Sequence, residues 1–329
     1  MVINIMGTSS MIDNKNPSKI IFMGSSPFAS GVLSWLIDFI HHGTSATISA
    51  VYSQSPKPKH RGKKIKKTEV AMLAEQKNLL LRQPTYFDQN EIDFLTNLAP
   101  DLIIVVGYGL LLPNRLLSIP RWLALNIHPS LLPKYRGATP IESAILAGDN
   151  LTGVSLIKIN DTLDGGDIIA MESLPLHQQD NRHILNQKLL ALSITLLQKN
   201  LPKIFLGDYH LTPQQPTTAS YSKKIKTSDY HIRPKSDKID MVYKKILAYY
   251  PKCFLLLKTN QRLLLLEAKK LPASDAHHPP ANHQTEIFFD QQQKKIFLTC
   301  QDGLLELISV KPENKNAMSA TDWWRGKRN

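Results

Sequence analysis

From Lys19 onward, short apolar and β-branched runs alternate with longer amphipathic stretches. Apolar runs about five residues long, separated by segments with helical spacing, predict an α/β sheet. Residues 20–23 predict a buried first strand, 28–40 a helix, 47–53 a strand and 69–76 a second helix. Residues 102–106 contain no polar side chain and lie between Asp101 and Gly107, which is how a parallel strand buried on both faces reads. Residues 123–127 predict the next strand, where the chain runs through Asn126, Ile127, His128 and Pro129 into a loop. Ligand sites of open α/β sheets gather at the carboxyl ends of strands, so Asn126 and His128 stand where chemistry is expected.

Residues 140–147 predict a helix closed by Gly148. The strands 153–159 and 167–171 then flank a turn at 160–166 rich in Asp and Gly, and 182–206 predict a long helix. After Gly207 the periodicity lapses: residues 212–220 read Thr-Pro-Gln-Gln-Pro-Thr-Thr-Ala-Ser, the composition of a polar linker. Beyond it come a helix at 239–248 and short strands at 253–257, 263–268, 286–289, 296–299 and 304–310, the pattern of a small OB-like β-barrel. The expected organisation is an N-terminal extension at 1–18, a Rossmann-like α/β domain with a parallel-rich sheet at 19–206, a linker at 207–220 and the barrel domain at 221–329. No internal repeat is present.

Composition narrows the class. With 329 residues, 42% of them hydrophobic, the chain can build two cores. It has no apolar run near the ~18 residues of a membrane helix, and its start lacks the basic and apolar regions of an export signal, which predicts a cytoplasmic protein without a membrane partner. Cys253 and Cys300 form neither a C-x-x-C pair nor a metal-spaced cluster, so neither a disulfide scaffold nor a metal is expected. The net charge of +13 is localised: residues 57–67 hold seven Lys/Arg and no acid, for +7, and residues 221–329 hold 20 Lys/Arg against 11 Asp/Glu, for +9, so the remainder carries −3. Two basic regions on an otherwise weakly acidic body suit a polyanion, because phosphate neutralisation dominates nucleic-acid affinity. A solvated lysine-rich surface is the plainer reading of either run taken alone.

The most specific segment is Asn126-Ile-His-Pro-Ser-Leu-Leu-Pro-Lys-Tyr-Arg-Gly-Ala-Thr-Pro-Ile141, followed after a helix and a strand by Thr162-Leu-Asp-Gly-Gly-Asp-Ile168. A lone His after a strand is structural more often than catalytic, and an Asp in a Gly-rich turn usually shapes the turn, as Asp167 could. The conjunction reverses that. A neutral amine attacking an acyl carbon creates an oxyanion that needs donors and releases a proton that needs an acceptor. An amide such as Asn126, an imidazole such as His128 and a carboxylate such as Asp164 supply those functions.

These segments resemble the catalytic core of the 10-formyltetrahydrofolate-dependent formyltransferases, whose motif reads Asn-x-His-x-Ser-Leu-Leu-Pro, then Arg-Gly, then an Asp in a D-x-G-D turn. The likeness is contiguous over about sixteen residues and extends over nearly the whole chain from Lys19. Tyr221-Ser-Lys-Lys-Ile225 and Asn316-Ala-Met-Ser-Ala-Thr-Asp-Trp323 resemble the branch whose acceptor is the amine of methionyl-initiator tRNA, used to start translation. The resemblance implies a monomer that moves a formyl group from 10-formyltetrahydrofolate to that tRNA. It implies Asn126, His128 and Asp164 as the catalytic trio. It also places Ser130, Leu131, Leu132 and Pro133 on folate, together with Gly107, Tyr108 and Gly109 of the 100–109 strand and turn. Arg61 falls where the family's basic insertion enters the tRNA acceptor end, Lys63 and Lys64 where phosphates would be held, and Lys223 and Lys224 on the tRNA-facing side of the second domain.

The chain departs from the family at Gly24-Ser-Ser-Pro-Phe-Ala29, where Gly-Thr-Pro-Asp/Glu-Phe-Ala is usual, and after Lys224, where a frequent Asp-Trp pair is replaced by Asp229-Tyr230. Residues 1–18 are additional, and Met11 is an alternative start. Gly24-Ser-Ser-Pro27 is not a dinucleotide fingerprint, and His41-His42 and His277-His278 lack further ligands at metal spacing. Arg136-Gly137 reads equally as a surface turn or as a contact holding the catalytic loop, and Trp323-Trp324 more as an apolar anchor of the C-terminus than as a base-stacking pair. The competing functions are formyl transfer to a sugar-nucleotide or ribonucleotide amine, hydrolysis of formyl-folate, and an RNA-binding protein that keeps the fold without catalysis.

Overall fold

The computed structural model describes residues 17–59, 64–271 and 286–326. In chain order its elements begin β1 (Ser18–Gly24), α1 (Pro27–His41), β2 (Ala46–Tyr52), β3 (Lys57–Lys59), β4 (Lys64–Lys66), α2 (Glu69–Gln76), β5 (Leu81–Arg82), α3 (Gln89–Leu98), β6 (Leu102–Val106), α4 (Asn114–Leu117) and β7 (Leu123–His128). They continue with α5 (Pro140–Ala147), β8 (Leu151–Lys158), β9 (Ile168–Pro175), α6 (Arg182–Phe205), α7 (Ile239–Ala248), β10 (Phe254–Leu256) and β11 (Arg262–Lys270). Last come β12 (Ile287–Asp290), β13 (Lys295–Cys300), β14 (Gly303–Pro312), β15 (Met318–Ser319) and α8 (Ala320–Arg325). The chain divides into two compact units. One comprises the chain up to His128 with Val154–Glu172 and Leu190–Pro216; the other comprises Pro129–Gly153, Ser173–Leu189 and the chain from Thr217.

The principal sheet has seven strands in the order β5-β2-β1-β6-β7-β8-β9. Strands β5, β2, β1, β6 and β7 pair in parallel, and β8 pairs antiparallel with β7. All five residues of β6 are buried, as a strand without a polar side chain requires. Because β1 lies between β2 and β6, the chain reverses its direction of travel across the sheet there, and the carboxyl ends of β1 and β6 form the topological switch point. Beside it, α1 starts with Ser26 as N-cap, its hydroxyl accepting from Ala29 N–H, and with Pro27 in the first turn. The altered 24–29 segment is therefore a well-capped helix entry. The helix buries Phe28, Ala29, Val32, Leu33, Leu36 and Ile37, one stripe at helical spacing. A core of Ile21, Met23, Tyr52, Phe87, Ile92, Leu95, Ile103, Val105, Tyr108 and Leu116, among others, fills one side of the sheet.

In the second unit an antiparallel sheet runs β10-β11-β14-β13-β12, with β15 added against β14. Among the described residues no ladder joins β10 to β12. Helix α7 buries Val242, Ile246 and Ala248 on one face, and Trp323 of α8 is buried, as an apolar anchor should be.

The basic run read as a loop folds back as a two-stranded ribbon, with Lys57 opposite Lys66 and Lys59 opposite Lys64. Arg61, Lys63 and the His277-His278 pair lie outside the described residues, as do residues 1–16 of the extension. The 212–220 segment makes specific bonds: Thr212 and Ile168 exchange both backbone hydrogen bonds, at 2.8 and 2.9 Å, and Gln214 is buried.

Candidate active site

Strand β7 carries Asn126 and His128 two residues apart, so both point to the same face of the sheet. The strand is held between β6 and β8, with Asn126 opposite Val105 on one side and Ile157 on the other. Asp164 approaches from the turn between β8 and β9. Its Oδ1 accepts from Asn126 Nδ2 at 3.1 Å, and its Oδ2 lies 3.6 Å from His128 Nδ1. His128 is only 4% exposed, and the side chain of Asp164 is 14% exposed. Three residues separated by up to 38 positions thus form one polar cluster whose carboxylate faces the ring's Nδ1 edge, a geometry that orients an imidazole.

The turn is tightly built. Asp164 adopts φ = +47°, a left-handed conformation that costs a non-glycine residue of order 1 kcal/mol or more and persists only when its surroundings impose it. Gly165 N–H closes the turn on Thr162 O at 2.9 Å. A Cβ on Gly166 would stand 1.7 Å from the carbonyl oxygen of Lys158, so only glycine allows the turn to lie against β8. Gln214 lies over the same peptides, its Nε2 donating to Asp164 O at 2.9 Å and to Gly166 O at 2.7 Å. Asp167 uses its backbone, its carbonyl accepting from Lys158 N–H at 2.9 Å.

At the switch point, Gly107 and Gly109 take φ values of +50° and +79° around Tyr108. The Tyr108 carbonyl accepts from Ser25 Oγ at 3.1 Å and from Gln54 Nε2 at 2.9 Å, and Gln54 N–H donates to Ser25 Oγ at 3.1 Å. A Cβ on Gly109 would meet Gln54 Nε2 at 2.4 Å, so the glycine lets this crosslink close. The Tyr108 ring is buried, and its hydroxyl has no hydrogen-bond partner; burial is the larger cause and the Glu91 charge the smaller that hold this phenol well above its usual range.

In the second unit Ser130 is fully buried, donating from Oγ to Lys134 O at 2.6 Å, and Leu132 is buried before the cis peptide to Pro133. Arg136 resolves the two readings of its segment: it is buried, its N–H donates to Ser220 O at 2.8 Å, its carbonyl accepts from Ser222 N–H at 2.7 Å, and its guanidinium lies over the Tyr221 ring at 5.9 Å. It is a contact. Lys223 and Lys224 follow directly and are exposed. Lys64 belongs to β4. Tyr135 donates from its hydroxyl to Asp149 at 2.9 Å, and burial first, then that bond, push its phenol up to about 12. A cavity of about 200 Å³ in this unit is lined by residues that include Asp149, Asp180, Asp240 and Lys244. Its carboxylates are already met by Tyr135, by Lys188, and by Lys244 with Lys270, so it reads as a gap between ion pairs. Burial pushes the thiols of Cys253 and Cys300 up to about 12, which makes them inert, and no group of three metal-ligating side chains occurs among the described residues.

Sequence reasoning missed Gln214, Ser25 and Gln54. The first sat in a stretch read as a linker, and all three act through backbone carbonyls distant in sequence, which no local pattern marks.

An α/β sheet on which an amide, an imidazole and a carboxylate converge at the end of one strand has the makings of a group-transfer protein. The family model described as formyl transferase matches residues 18–201, and that of the formyl transferase C-terminal domain matches 224–328. The chain belongs to this formyl transferase family, and within it to the methionyl-tRNA formyltransferases. The methionyl-tRNA formyltransferase of Ehrlichia chaffeensis is 38% identical over 312 residues, covering 94% of this chain and 97% of the relative. That of Pseudoalteromonas translucida is 32% identical over 314 residues and covers 94% of both. Among solved structures, the sugar 3N-formyl transferase WlaRD, crystallised with dTDP and 5-N-formyl-THF, superposes with a TM-score of 0.62 at 18% identity, covering 91% of this chain and 99% of its own. HypX from Aquifex aeolicus in complex with tetrahydrofolic acid gives 0.61 at 15%, covering 92% of this chain and 46% of that one. At these identities the two structures speak for the fold. No helix among the described residues is long and apolar enough to cross a membrane.

Proposed function

We propose that the protein transfers the formyl group of 10-formyltetrahydrofolate to the amino group of methionyl-initiator tRNA, and that Asn126, His128 and Asp164 carry the chemistry. The observation that carries the reading is the convergence of these three side chains, at 3.1 and 3.6 Å, in a chain nearly coextensive with tRNA-formylating relatives. The amine nitrogen attacks the formyl carbon and forms the new C–N bond, the tetrahedral carbon then collapses with cleavage of its bond to folate N10, and the proton lost by the amine is balanced by the one N10 gains. While the carbon is tetrahedral its oxygen bears the charge. One Asn126 N–H is given to Asp164, and the second N–H of the amide is the oxyanion donor. His128 presents Nδ1 to Asp164, and Nε2 is the ring's second donor when the imidazole is charged. A donor of this kind is worth about 3 to 4 kcal/mol in the transition state. Asp164 stabilises the imidazolium and, directly or through a water, takes the amine's proton.

Gly107, Tyr108 and Gly109 with Ser130, Leu131, Leu132 and Pro133 hold the folate. In the basic 57–67 segment Arg61 meets the acceptor end and Lys63 and Lys64 meet phosphates, and Lys223 and Lys224 meet phosphates further along the tRNA; phosphate contacts position without reading sequence. The protein works as a cytoplasmic monomer.

The test is transfer of labelled formyl from 10-formyltetrahydrofolate to methionyl-tRNA, with initiator compared to elongator tRNA and wild type to His128→Ala. Formylation of the initiator that His128→Ala abolishes is expected. Equal reaction with a free amine or a nucleotide sugar would reassign the acceptor, and an active His128→Ala would remove the mechanism.

A further inference from the structure

We propose that Gln214 is a positioning residue for Asp164, holding the carboxylate in register with Asn126 and His128 through two hydrogen bonds to the backbone of its turn. The inference rests on the catalytic reading of Asp164 given above.

Gln214 comes from the segment that looks, in sequence, least able to hold anything. Yet its side chain is buried, and its one amide nitrogen spends both hydrogens on the turn, donating to Asp164 O at 2.9 Å and to Gly166 O at 2.7 Å. The first of these carbonyls belongs to the residue that needs outside help, and the second lies two residues further along the same turn. Asp164 sits at φ = +47°, where a residue with a Cβ stays only if its neighbours hold it. The far side of the turn is already blocked, because Gly166 lies against the Lys158 carbonyl. Gln214 closes the near side. Two residues earlier Thr212 pairs through both backbone bonds with Ile168, so the amide is delivered from a fixed stem.

The Asp164 carboxylate sits two rotatable bonds from the backbone that Gln214 grips. Its contacts of 3.1 Å to Asn126 and 3.6 Å to His128 leave little tolerance before either is lost. Misplacing a catalytic group by about 1 Å costs on the order of 10²-fold in rate. A glutamine is suited to this task because it donates twice and adds no charge beside Asp164 and His128; a lysine or arginine would compete with the imidazole for the carboxylate.

The experiment measures kcat and KM for formyl transfer, with the melting temperature, in the full chain carrying Gln214→Met, Asp164→Asn or both. Methionine keeps the volume and removes both donors. Gln214→Met is expected to lower kcat on the order of 10²-fold with KM for folate and tRNA little changed, and to cost almost nothing further once Asp164 is Asn. Gln214→Asn, which keeps a buried amide but withdraws it by one methylene, is expected to lose kcat as well, and it serves if the methionine variant folds poorly. The proposal is overturned if Gln214→Met keeps full kcat, if its loss merely follows its melting temperature, or if it costs the same factor again on top of Asp164→Asn. An Asp164→Asn enzyme with wild-type kcat would instead remove the catalytic reading beneath it, and the proposal with it.

Discussion

Two carboxylates of the first unit, the buried Glu91 and the partly buried Asp164, both meet donors, yet they are built to different specifications. Glu91 accepts from the Tyr52 hydroxyl at 2.6 Å and from Arg82 at 3.1 Å through Nε and 2.5 Å through the terminal nitrogen. It belongs to a regular helix, α3, and Tyr52 and Arg82 end adjacent parallel strands. Asp164 meets Asn126 at 3.1 Å and His128 at 3.6 Å from a turn in the left-handed region, gripped from outside by Gln214. A short bidentate set on regular elements is how a charge is buried safely. Longer contacts on an imposed turn spend stability on placing a group, which is what a reacting site does. Residue types alone would not have separated the two clusters; distance and backbone do.

The comparison breaks first at Asp164. Asp164→Asn keeps the shape and the contact with Asn126 but removes the charge, and should lower kcat by roughly 10²- to 10⁴-fold while leaving the melting temperature within a few degrees. Labelled-formyl transfer and thermal unfolding on one preparation decide it: a large loss of stability with intact kcat would make Asp164 a second Glu91. The reciprocal change, Glu91→Ala, leaves the buried Tyr52 hydroxyl and the partly exposed Arg82 without their partner and should cost about 1 to 3 kcal/mol of stability, read by denaturant unfolding. Transfer measured well below the new melting point should keep its kcat, and a specific loss of turnover would mean that the two clusters are coupled.

The smallest effect sharpens the contrast by pH. Burial first, then the bond to Glu91 and its charge, hold the Tyr52 phenol far above its ordinary range. A phenol raised on folding favours the protonated form, so its stabilisation is whole below the unfolded value near 10 and is lost progressively as the pH rises above it. Unfolding free energy should therefore fall above about pH 10, less steeply in Tyr52→Phe. Equal slopes in the two proteins would show that Tyr52 contributes nothing to the alkaline limb.

What could be read in advance follows from how local its cause was. The run 102–106 became β6 with the same bounds because five apolar residues between Asp101 and Gly107 can only be a strand buried on both faces. The helix 140–147 ended at Gly148 because that glycine takes φ = +75°, the conformation a helix stop requires. Helix α3 went unread because its buried face mixes Glu91 with Ile92 and Leu95, so apolar periodicity is broken by the very residue that Tyr52 and Arg82 neutralise. Strand β5 is two residues long and exists only as an addition to β2. The cationic ribbon looked like a loop because strands of three residues are too short to show an alternation in the sequence.

By itself the chain determined the alternation of elements, the membership of its family, the segregation of positive charge and the three side chains nominated for chemistry, since each is written in contiguous residues. The tertiary structure decided how Asp164 reaches His128 across 36 positions, that Arg136 joins the 220–222 segment, and that the Gln214 amide meets the turn that carries Asp164. Those depend on which backbone carbonyls come within about 3 Å of a side chain after folding, and a carbonyl has the same chemistry at every position in the sequence.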